Sequence, residues 1–297
     1  MPRYEFVKGT SKKFWEIDCN GSTVVTTYGR IGSDGQKTVK KLGSPSAAKH
    51  LYDKLVSEKT RKGYALAREN EEDEQKPATK PGKPRWDLSR AFQARTKLRD
   101  ERATYAVELL EPGPLVVPTG KIFACDPYTM FGVAPFDRAV KKGKYPLILS
   151  VAKIAGKYKD TRVGCAMIRF AKGSVSKWIN ATKRGQSIAK LKPNHSFGYG
   201  VDSGTGCFGD ASILPNLELV NDLTYENGGD EGWLSIFTME KVLSEKWAQA
   251  ILDTKTKANI MLFKSGFGDG FYPSYWGLSK SGQTLCLVTD FGVYPTS

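Results

Sequence analysis

The first 66 residues alternate apolar and polar positions in short runs that are separated by turn residues. Three runs show the two-residue period of half-buried strands: "YEFVKG", "KFWEIDCNG" and "STVVTTYGRIG". The pair Asn20-Gly21 favours a tight hairpin turn between the second and third runs. A turn and a fourth strand are predicted in "SDGQKTVKKLG". The pattern therefore predicts a small antiparallel sheet.

The next stretch, "SPSAAKHLYDKLVSEKTRKGYALA", has the period of a helix. Ser44 or Ser46 is expected to cap it, with Pro45 near its first turn. The apolar positions at helical spacing are Ala48, Leu51, Tyr52 and Leu55. Because these positions share one face, the helix is expected to cover the sheet.

Beyond residue 105, short apolar runs alternate with turn signals, which is typical of strands. The predicted strands are "KIFACDPY", "YPLILSVA", "RVGCAMIRF", "GYGVDSG", "LSIFTM", "NIMLFKSG" and "QTLCLVTDFGVY". A helix is predicted in "SEKWAQAILDTKTK", with an apolar face of Val242, Trp247, Ile251 and Leu252. The stretch "WDLSRAFQARTKLRDERATYAVELL" is predicted to be partly helical, with Asp87 as its N-cap.

A dense aromatic cluster lies in "GFYPSYWG", residues 270 to 277. Pro273 argues against an ordinary central strand through that position, because proline has no amide hydrogen to donate. Two alternatives stay open for this stretch. It is either a loop that presents rings to a ligand or a packed corner of a β-rich core.

A compositional break divides the chain at "ENEEDEQKPATKPGKPRW", residues 69–86. This stretch is acidic and then rich in proline and lysine, so it is predicted to be a linker. The resulting domains are a basic module at 1–68 and a larger β-rich domain at 87–297. The predicted fold class is α+β: a small antiparallel sheet with one covering helix, a linker, and a larger β-rich α+β domain.

The charge is strongly positive and uneven. The chain has 297 residues and a formal net charge of +14. Residues 1–68 contain fourteen Lys or Arg and six Asp or Glu, which gives this short module +8 of that total. Such an excess indicates an anionic partner: nucleic acid, an acidic protein or an anionic membrane surface.

Cysteine usage and hydropathy favour a cytoplasmic protein. The five cysteines are odd in number, and no two have the spacing of a zinc clip, which indicates a reducing compartment. No segment approaches about 18 consecutive apolar residues, so no membrane span is expected. The sequence leaves the oligomeric state open.

The N-terminal residues resemble the WGR domain of poly(ADP-ribose) polymerases and of bacterial molybdate metabolism regulator proteins. The resemblance rests on "KFWEI", "TTYGRIGSDGQ" and "EKTRKGY", and covers about residues 3 to 66. The Trp-Gly-Arg of the family stands here as Tyr28-Gly29-Arg30. The resemblance implies binding of DNA ends, with sequence-independent contacts to sugar and phosphate.

The resemblance also implies roles for particular residues. Tyr28 would stack on a sugar or base and Arg30 would hold a phosphate. Further nucleic-acid-binding residues are expected at Gly29, Lys37, Lys40 and Lys41. An alternative stays open, in which Arg30 pairs with Asp34 or with an acidic residue of the second domain, and the module contacts a protein.

Several acidic residues beside glycines in the second domain raise the alternative of an enzyme. They are Asp126, Asp202, Asp210, Asp230, Glu231, Asp269 and Asp290. Asp126, Asp210 and Asp269 are candidate ligands of Mg²⁺ or Ca²⁺, which bind carboxylate oxygens. Asp202, Asp210 and Asp269 would be the catalytic residues of a metal-dependent phosphodiesterase, nuclease or effector toxin. Asp beside Gly is equally typical of turns.

Nucleophilic chemistry has little support in the sequence. The two histidines are His50 and His195, and a pair of His195 with Cys207 would require that the fold bring them together. No Gly-x-Ser-x-Gly or His-Glu-x-x-His motif is present. The sequence therefore favours a binding protein without a cofactor, with the enzyme as the alternative.

The second domain resembles a bacterial domain family of unknown function, number 4241, over about residues 105 to 297. The stretches that carry this resemblance are "TGKIFACDPY", "KGKYPLILSVA", "YGVDSGTGCFGD", "SGFGDGFYPSYWG" and "LVTDF". The family implies no activity. The predicted function is a bacterial protein whose basic module engages nucleic acid or an acidic protein while the second domain recognises another ligand. Neutralisation of a toxin is one form of this role.

Overall fold

The structure is a computed structural model that describes residues 2–8, 11–31, 35–66, 80–129, 133–156, 159–217, 219 and 233–296. The chain divides into two compact units, Met1–Ala78 and Thr79–Ser297, which are described separately. Asp34, Asp230, Glu231 and the acidic part of the predicted linker lie outside the described residues.

The first unit is an antiparallel sheet with a helix packed on one face. Its strands are Arg3–Lys8 (β1), Ser11–Asn20 (β2), Thr23–Arg30 (β3), Gln36–Lys41 (β4) and Ala65–Leu66 (β5). The strand order is β4-β3-β2-β1-β5. The four predicted strands are confirmed. β5 was not predicted, because two residues are too few to show an alternating pattern.

The covering helix, Pro45–Arg61 (α1), begins where the sequence predicts. Ser44 is the N-cap, and its side chain accepts a hydrogen bond from the amide of Ala47 at 3.1 Å. Pro45 fits the first helical position because its nitrogen has no hydrogen to leave unpaired. The apolar face is confirmed: Ala48 is fully buried, and beside it pack Leu51, Tyr52 and Leu55.

The second unit is built from twelve described strands and one longer described helix. The helix is Trp233–Glu245 (α2). The strands are Lys97–Arg99 (β6), Ala103–Val117 (β7), Ile122–Cys125 (β8), Gly143–Gly156 (β9), Asp160–Arg169 (β10), Lys177–Asn180 (β11), Gly198–Val201 (β12), Thr205–Asp210 (β13), Trp247–Ile251 (β14), Asn259–Lys264 (β15), Gly270–Leu278 (β16) and Thr284–Asp290 (β17). Short 3₁₀ turns lie at Leu88–Phe92, Ile188–Lys190 and Ala211–Ile213.

These strands form two sheets. The large sheet has the order β11-β16-β17-β10-β9-β7-β6, with β12 also paired to β16, and the small sheet has the order β14-β15-β13-β8. All pairings are antiparallel. A small antiparallel sheet in the first unit and a larger strand-rich unit after it confirm the main features of the predicted α+β class.

Both faces of the small sheet are buried. Along β15, Met261 and Phe263 pack in the same core as the large sheet, whereas Ile260 and Leu262 pack in a second core with Leu234 of α2. The unit is therefore layered as large sheet, small sheet and α2. A strand covered on both faces has no polar side, which explains the continuous apolar run "NIMLF".

Two secondary-structure predictions around α2 were wrong. "LSIFTM" was predicted as a strand but lies within α2, and the predicted helix "SEKWAQAILDTKTK" contains β14. The change of structure occurs at Lys246, whose φ of +72° turns the chain out of the helix. Glycine usually occupies such a position, so a lysine there gives no sequence signal.

The prediction about Pro273 was also wrong, since β16 runs through it. Pro273 pairs with Gly198 of β12 on one flank, and the ladder with β17 on the other flank begins only at Ser274. The proline thus lies just before the ladder with β17, where the strand tolerates a nitrogen without hydrogen.

The start of the second unit is less helical than predicted. Asp87 is an N-cap as expected and accepts from the amide of Ser89 at 3.1 Å, but the helix is only the 3₁₀ turn Leu88–Phe92. β6 and β7 follow. Residues 80–86, which composition assigned to the linker, pack on the second unit: Trp86 Nε1 donates to Asp290 at 3.0 Å.

Candidate nucleic-acid interface

The two faces of the first sheet have different roles. The register pairs Trp15 with Tyr28 and Ile17 with Thr26, and these residues form the face that α1 covers. Side chains of the alternate positions, such as Phe14 and Thr27, belong to the opposite, open face. Each basic residue predicted to bind nucleic acid can therefore be assigned to one face.

Tyr28 lies on the covered face and is 8% exposed. Its ring belongs to the core that also contains Trp15 and Ala48. The strand alternation places it there, because residues 24, 26 and 28 of β3 point to the same side. Stacking on a sugar or base stays a prediction that would require this ring to leave the core. Gly29 is buried as well.

Arg30 is the exposed last residue of β3. Its register partner on β2 is Lys13, whose ammonium lies 5.7 Å from the centre of the Phe6 ring. The neighbouring Lys12 is exposed, and its carbonyl accepts from the amide of Ile31 at 3.1 Å. The end of the β2–β3 ladder therefore carries three cations on a hydrogen-bonded strand pair.

The three predicted lysines of β4 do not form one group. Lys37 lies opposite Thr27 and Lys41 opposite Thr23, so both belong to the open face, whereas Lys40 lies opposite Val24 on the α1 side. Lys37 and Lys41 are four positions apart, which corresponds to about 13 Å at the usual strand rise. Lys37 is thus the predicted lysine nearest to Arg30 along the sheet, but alternation assigns Arg30 to the α1 side, with Tyr28, and Lys37 to the open face.

The open face is charge-balanced on one half and basic on the other. On β1 and β2, Arg3 pairs with Glu5 at 2.9 Å and Glu16 at 3.2 Å, and its guanidinium lies 4.2 Å from the centre of the Phe14 ring. β3 and β4 contain no Asp or Glu. The β3–β4 half of the sheet is therefore the part of this unit best suited to an anion.

The predicted catalytic and metal-binding carboxylates of the second unit include two structural anchors. Asp210 is fully buried and accepts from the amide of Thr119 at 3.1 Å, the Thr119 hydroxyl at 2.8 Å and the amide of Ser212 at 3.0 Å. Asp126 is also buried and accepts from the amides of Asp202 and Ser203, both at 2.8 Å. Burial raises the pKa of Asp126, and these hydrogen bonds oppose the shift.

Asp202 and Asp269 are half-buried. Asp202 directly follows β12, and Asp269 directly precedes β16. Their loops approach each other, since a Cβ added to Gly204 would lie 3.6 Å from the Cα of Gly268. Within the described part of the chain, no three His, Cys, Asp or Glu side chains are grouped as metal ligands. Asp126, Asp202 and Asp269 therefore lie near the Thr205 end of β13, whereas Asp210 lies at its other end, opposite Ile122 of β8.

The histidines and cysteines show no described nucleophile–base pair. His195 Nδ1 lies 2.9 Å from the carbonyl oxygen of Pro193, and His50 is exposed on α1. Cys207 is buried, and its Sγ lies 3.4 Å from that of Cys125 on the adjacent strand. Burial raises the pKa of the Cys207 thiol well above its usual value, which disfavours the nucleophilic thiolate.

The sequence-based prediction overlooked cationic residues of the second unit. The structure brings Lys80 and Lys83 beside Lys177, although 94 residues separate Lys83 from Lys177. A signal was present, since residues 138–201 contain fifteen Lys or Arg and one acidic residue. It was hidden because the charge was summed over residues 69–297, where the acidic run near residue 72 offsets part of it.

Two family models match parts of the chain. The WGR domain model matches residues 3–72, and such a domain indicates nucleic-acid binding in general terms. The chain belongs to the family described as protein of unknown function (DUF4241), whose model matches residues 115–289. Both resemblances drawn from the sequence are thereby confirmed.

Comparisons with individual proteins add little. No curated protein matches the chain. A solved Bacteroides fragilis structure is 40% identical over a match that covers 23% of this chain and 19% of that one, with a TM-score of 0.22. The match thus spans about a fifth of that protein. In the described residues, no helix has the length and apolar character needed to cross a bilayer.

Proposed function

We propose that the first unit binds nucleic acid through the phosphate backbone, with Arg30 as the principal contact. The observation that carries this proposal is the position of Arg30. It is exposed at the end of β3, a strand in which residues 24, 26, 28 and 29 are buried. A guanidinium presented by a packed strand is pre-positioned for a phosphate, which it can bind through two parallel hydrogen bonds.

The charges around Arg30 support a sequence-independent mode of binding. Lys12 and Lys37 are exposed near the same end of the sheet, and Lys41 extends the basic edge along β4. Lysine ammonium groups attract phosphates but do not distinguish bases. Binding of this kind weakens steeply as salt rises, because bound counterions are released from the nucleic acid.

The first test measures the dissociation constant for a fluorescently labelled duplex of about 20 base pairs over a series of salt concentrations. Arg30→Ala is expected to weaken binding about tenfold, the loss of one charge-assisted contact of about 1.4 kcal/mol. The slope of log K against log salt should become less steep by about one unit.

Two variants make this test specific. Arg30→Lys keeps the charge but loses the paired hydrogen bonds, so it should retain most of the salt slope and lose part of the affinity. Arg61→Ala removes an arginine from the last turn of α1 and should leave both quantities nearly unchanged. A wild-type affinity insensitive to salt, or an Arg30→Ala slope equal to the wild-type slope, would contradict the proposal.

A further inference from the structure

The second unit has its own concentration of positive charge. Residues 79–297 contain thirty Lys or Arg and twenty Asp or Glu, a net charge of +10. Residues 138–201 hold half of these cations and one acidic residue, Asp160, which is paired with Arg162 at 2.7 Å. The net positive charge of this unit therefore comes from this stretch of the sequence.

The segment 80–85 is held against this basic part of the unit. The amide of Gly82 donates to the carbonyl of His195 at 2.8 Å, and Lys83 Nζ donates to the carbonyl of Trp178 at 2.9 Å. A Cβ added to Gly82 would lie 2.8 Å from Ile188 and 3.3 Å from Asn180. The segment thus lies between β11 and the loop that contains Ile188.

This packing brings cations from two distant parts of the chain together on a surface that we call the basic rim. The basic rim consists of Lys80, Lys83 and Lys177. Burial lowers the pKa of Lys83, and the positive charges of Lys177 and Lys80 lower it further. The three ammonium groups are therefore close enough to repel one another.

The described part of the chain shows no carboxylate paired with Lys80, Lys83 or Lys177. The nearby Asp87 already accepts from Trp178 Nε1 at 3.1 Å and from Ser89. Clustered ammonium groups that are not ion-paired repel one another, and an anion that lies between them relieves this repulsion.

A groove of about 380 Å³ adjoins the basic rim. Asn180 and Ile188, which pack against Gly82, also line the groove, so the two features share a wall. The groove also contains Arg138, whose Nη1 donates to Thr284 Oγ1 at 3.1 Å, and one acidic residue, Asp137. The charges of Arg138 and Asp137 offset each other, so the groove itself is polar and the positive charge lies on the basic rim.

We propose that the basic rim and the adjoining groove form a second nucleic-acid-binding surface, which holds a phosphate backbone. An acidic protein is a poorer fit, because protein interfaces have an apolar centre, whereas nucleic-acid interfaces are polar and strongly positive. Among the described residues, none of the exposed large apolar side chains lies in the segments 80–85 or 177–195 around the basic rim. Trp276 in the groove is 2% exposed, so it offers no ring for base stacking.

The test uses the full chain and the labelled duplex of the Arg30 experiment. The triple variant Lys80→Gln, Lys83→Gln, Lys177→Gln should make the slope of log K against log salt less steep by about two to three units. The matched control is Lys241→Gln, Lys255→Gln, Lys257→Gln, which changes the net charge equally on α2 and on the turn between β14 and β15. The control should change the slope by less than about one unit.

A second variant protects the test against loss of packing. The double variant Lys80→Gln, Lys177→Gln leaves the hydrogen bond from Lys83 to Trp178 in place. It should still make the slope of log K against log salt less steep by about two units. A slope equal to that of the wild type, or a change matched by the control, overturns this inference. In either case the Arg30→Ala result stands by itself, so the two proposals fail separately.

Discussion

Asp210 has a carboxylate that could serve catalysis, but in this fold the carboxylate accepts structural hydrogen bonds. Its two oxygens accept three kinds of donor, the Thr119 amide, the Thr119 hydroxyl and the Ser212 amide. The bonds to Thr119 join β13 to the chain between β7 and β8. Asp beside Gly is a weak signal, because the same residue type serves as an anchor or as a metal ligand.

We expect Asp210→Ala to lower the free energy of unfolding by about 3 kcal/mol, because the Thr119 and Ser212 amides would lose their buried acceptor. Urea denaturation followed by circular dichroism measures this change. Asp137→Ala, at an exposed aspartate of the same unit, should change stability by less than about 0.5 kcal/mol. A loss for Asp210→Ala no larger than this control would show that the carboxylate is not an anchor.

The contrast between Tyr28 and Arg30 also belongs to the residue scale. They are two positions apart on β3 and are both named by the family motif, yet one ring is buried and the guanidinium is exposed. Alternation along the strand allows the sequence to predict that residues 24, 26 and 28 share a face. It does not reveal which face α1 covers, and that decides whether Tyr28 is available to a ligand.

At the scale of elements, the accuracy of prediction depended on whether the boundaries have a chemical signal. α1 begins at Pro45 after the N-cap Ser44, two residue types that are favoured at helix N-termini, and it was predicted correctly. α2 ends at Glu245, and the next residue, Lys246, adopts a left-handed conformation without being glycine; the chain after it was assigned to the wrong structure. Apolar composition alone does not separate a buried strand from a buried helix.

The β-bulge in β10 requires a residue without a side chain, Gly164. The register with β9 shifts between Val163 and Cys165, and a Cβ on Gly164 would overlap the ring of Tyr294. Tyr294 is held in turn by a hydroxyl contact of 2.7 Å with Ser150. The bulge and the C-terminal segment are therefore fitted to each other.

Gly164→Ala is expected to destabilise the protein by about 1–3 kcal/mol, because a methyl group must displace a packed aromatic ring. The shift in the thermal unfolding midpoint measures this loss. With Tyr294→Leu in the same chain, the effect of Gly164→Ala should become smaller, since contacting residues are not additive. Equal losses with and without Tyr294 would contradict the proposed overlap.

On the scale of the whole molecule, two basic units flank a short acidic stretch. Residues 1–68 carry +8, residues 69–78 carry −4 and residues 79–297 carry +10. The uneven distribution of charge along the chain can therefore be counted from the sequence alone. The grouping of Lys80 and Lys83 with Lys177 was not predictable, because it depends on the packing of Gly82 against residues more than 90 positions away.

The acidic stretch is expected to weaken binding of nucleic acid at low salt. The six-residue separation of Glu74 from Lys80 corresponds to at most about 21 Å of extended chain. That is within the screening length of about 30 Å at 0.01 M salt, but well beyond the length of about 8 Å at 0.15 M. The triple variant Glu71→Gln, Glu72→Gln, Glu74→Gln should thus tighten duplex binding several-fold near 0.01 M salt, with little effect at 0.15 M.

A matched control variant makes the same change in net charge at three exposed positions of the second unit: Glu101→Gln, Glu240→Gln, Glu245→Gln. Equal gains in the two variants would show that total charge, rather than its place in the sequence before Lys80, determines affinity.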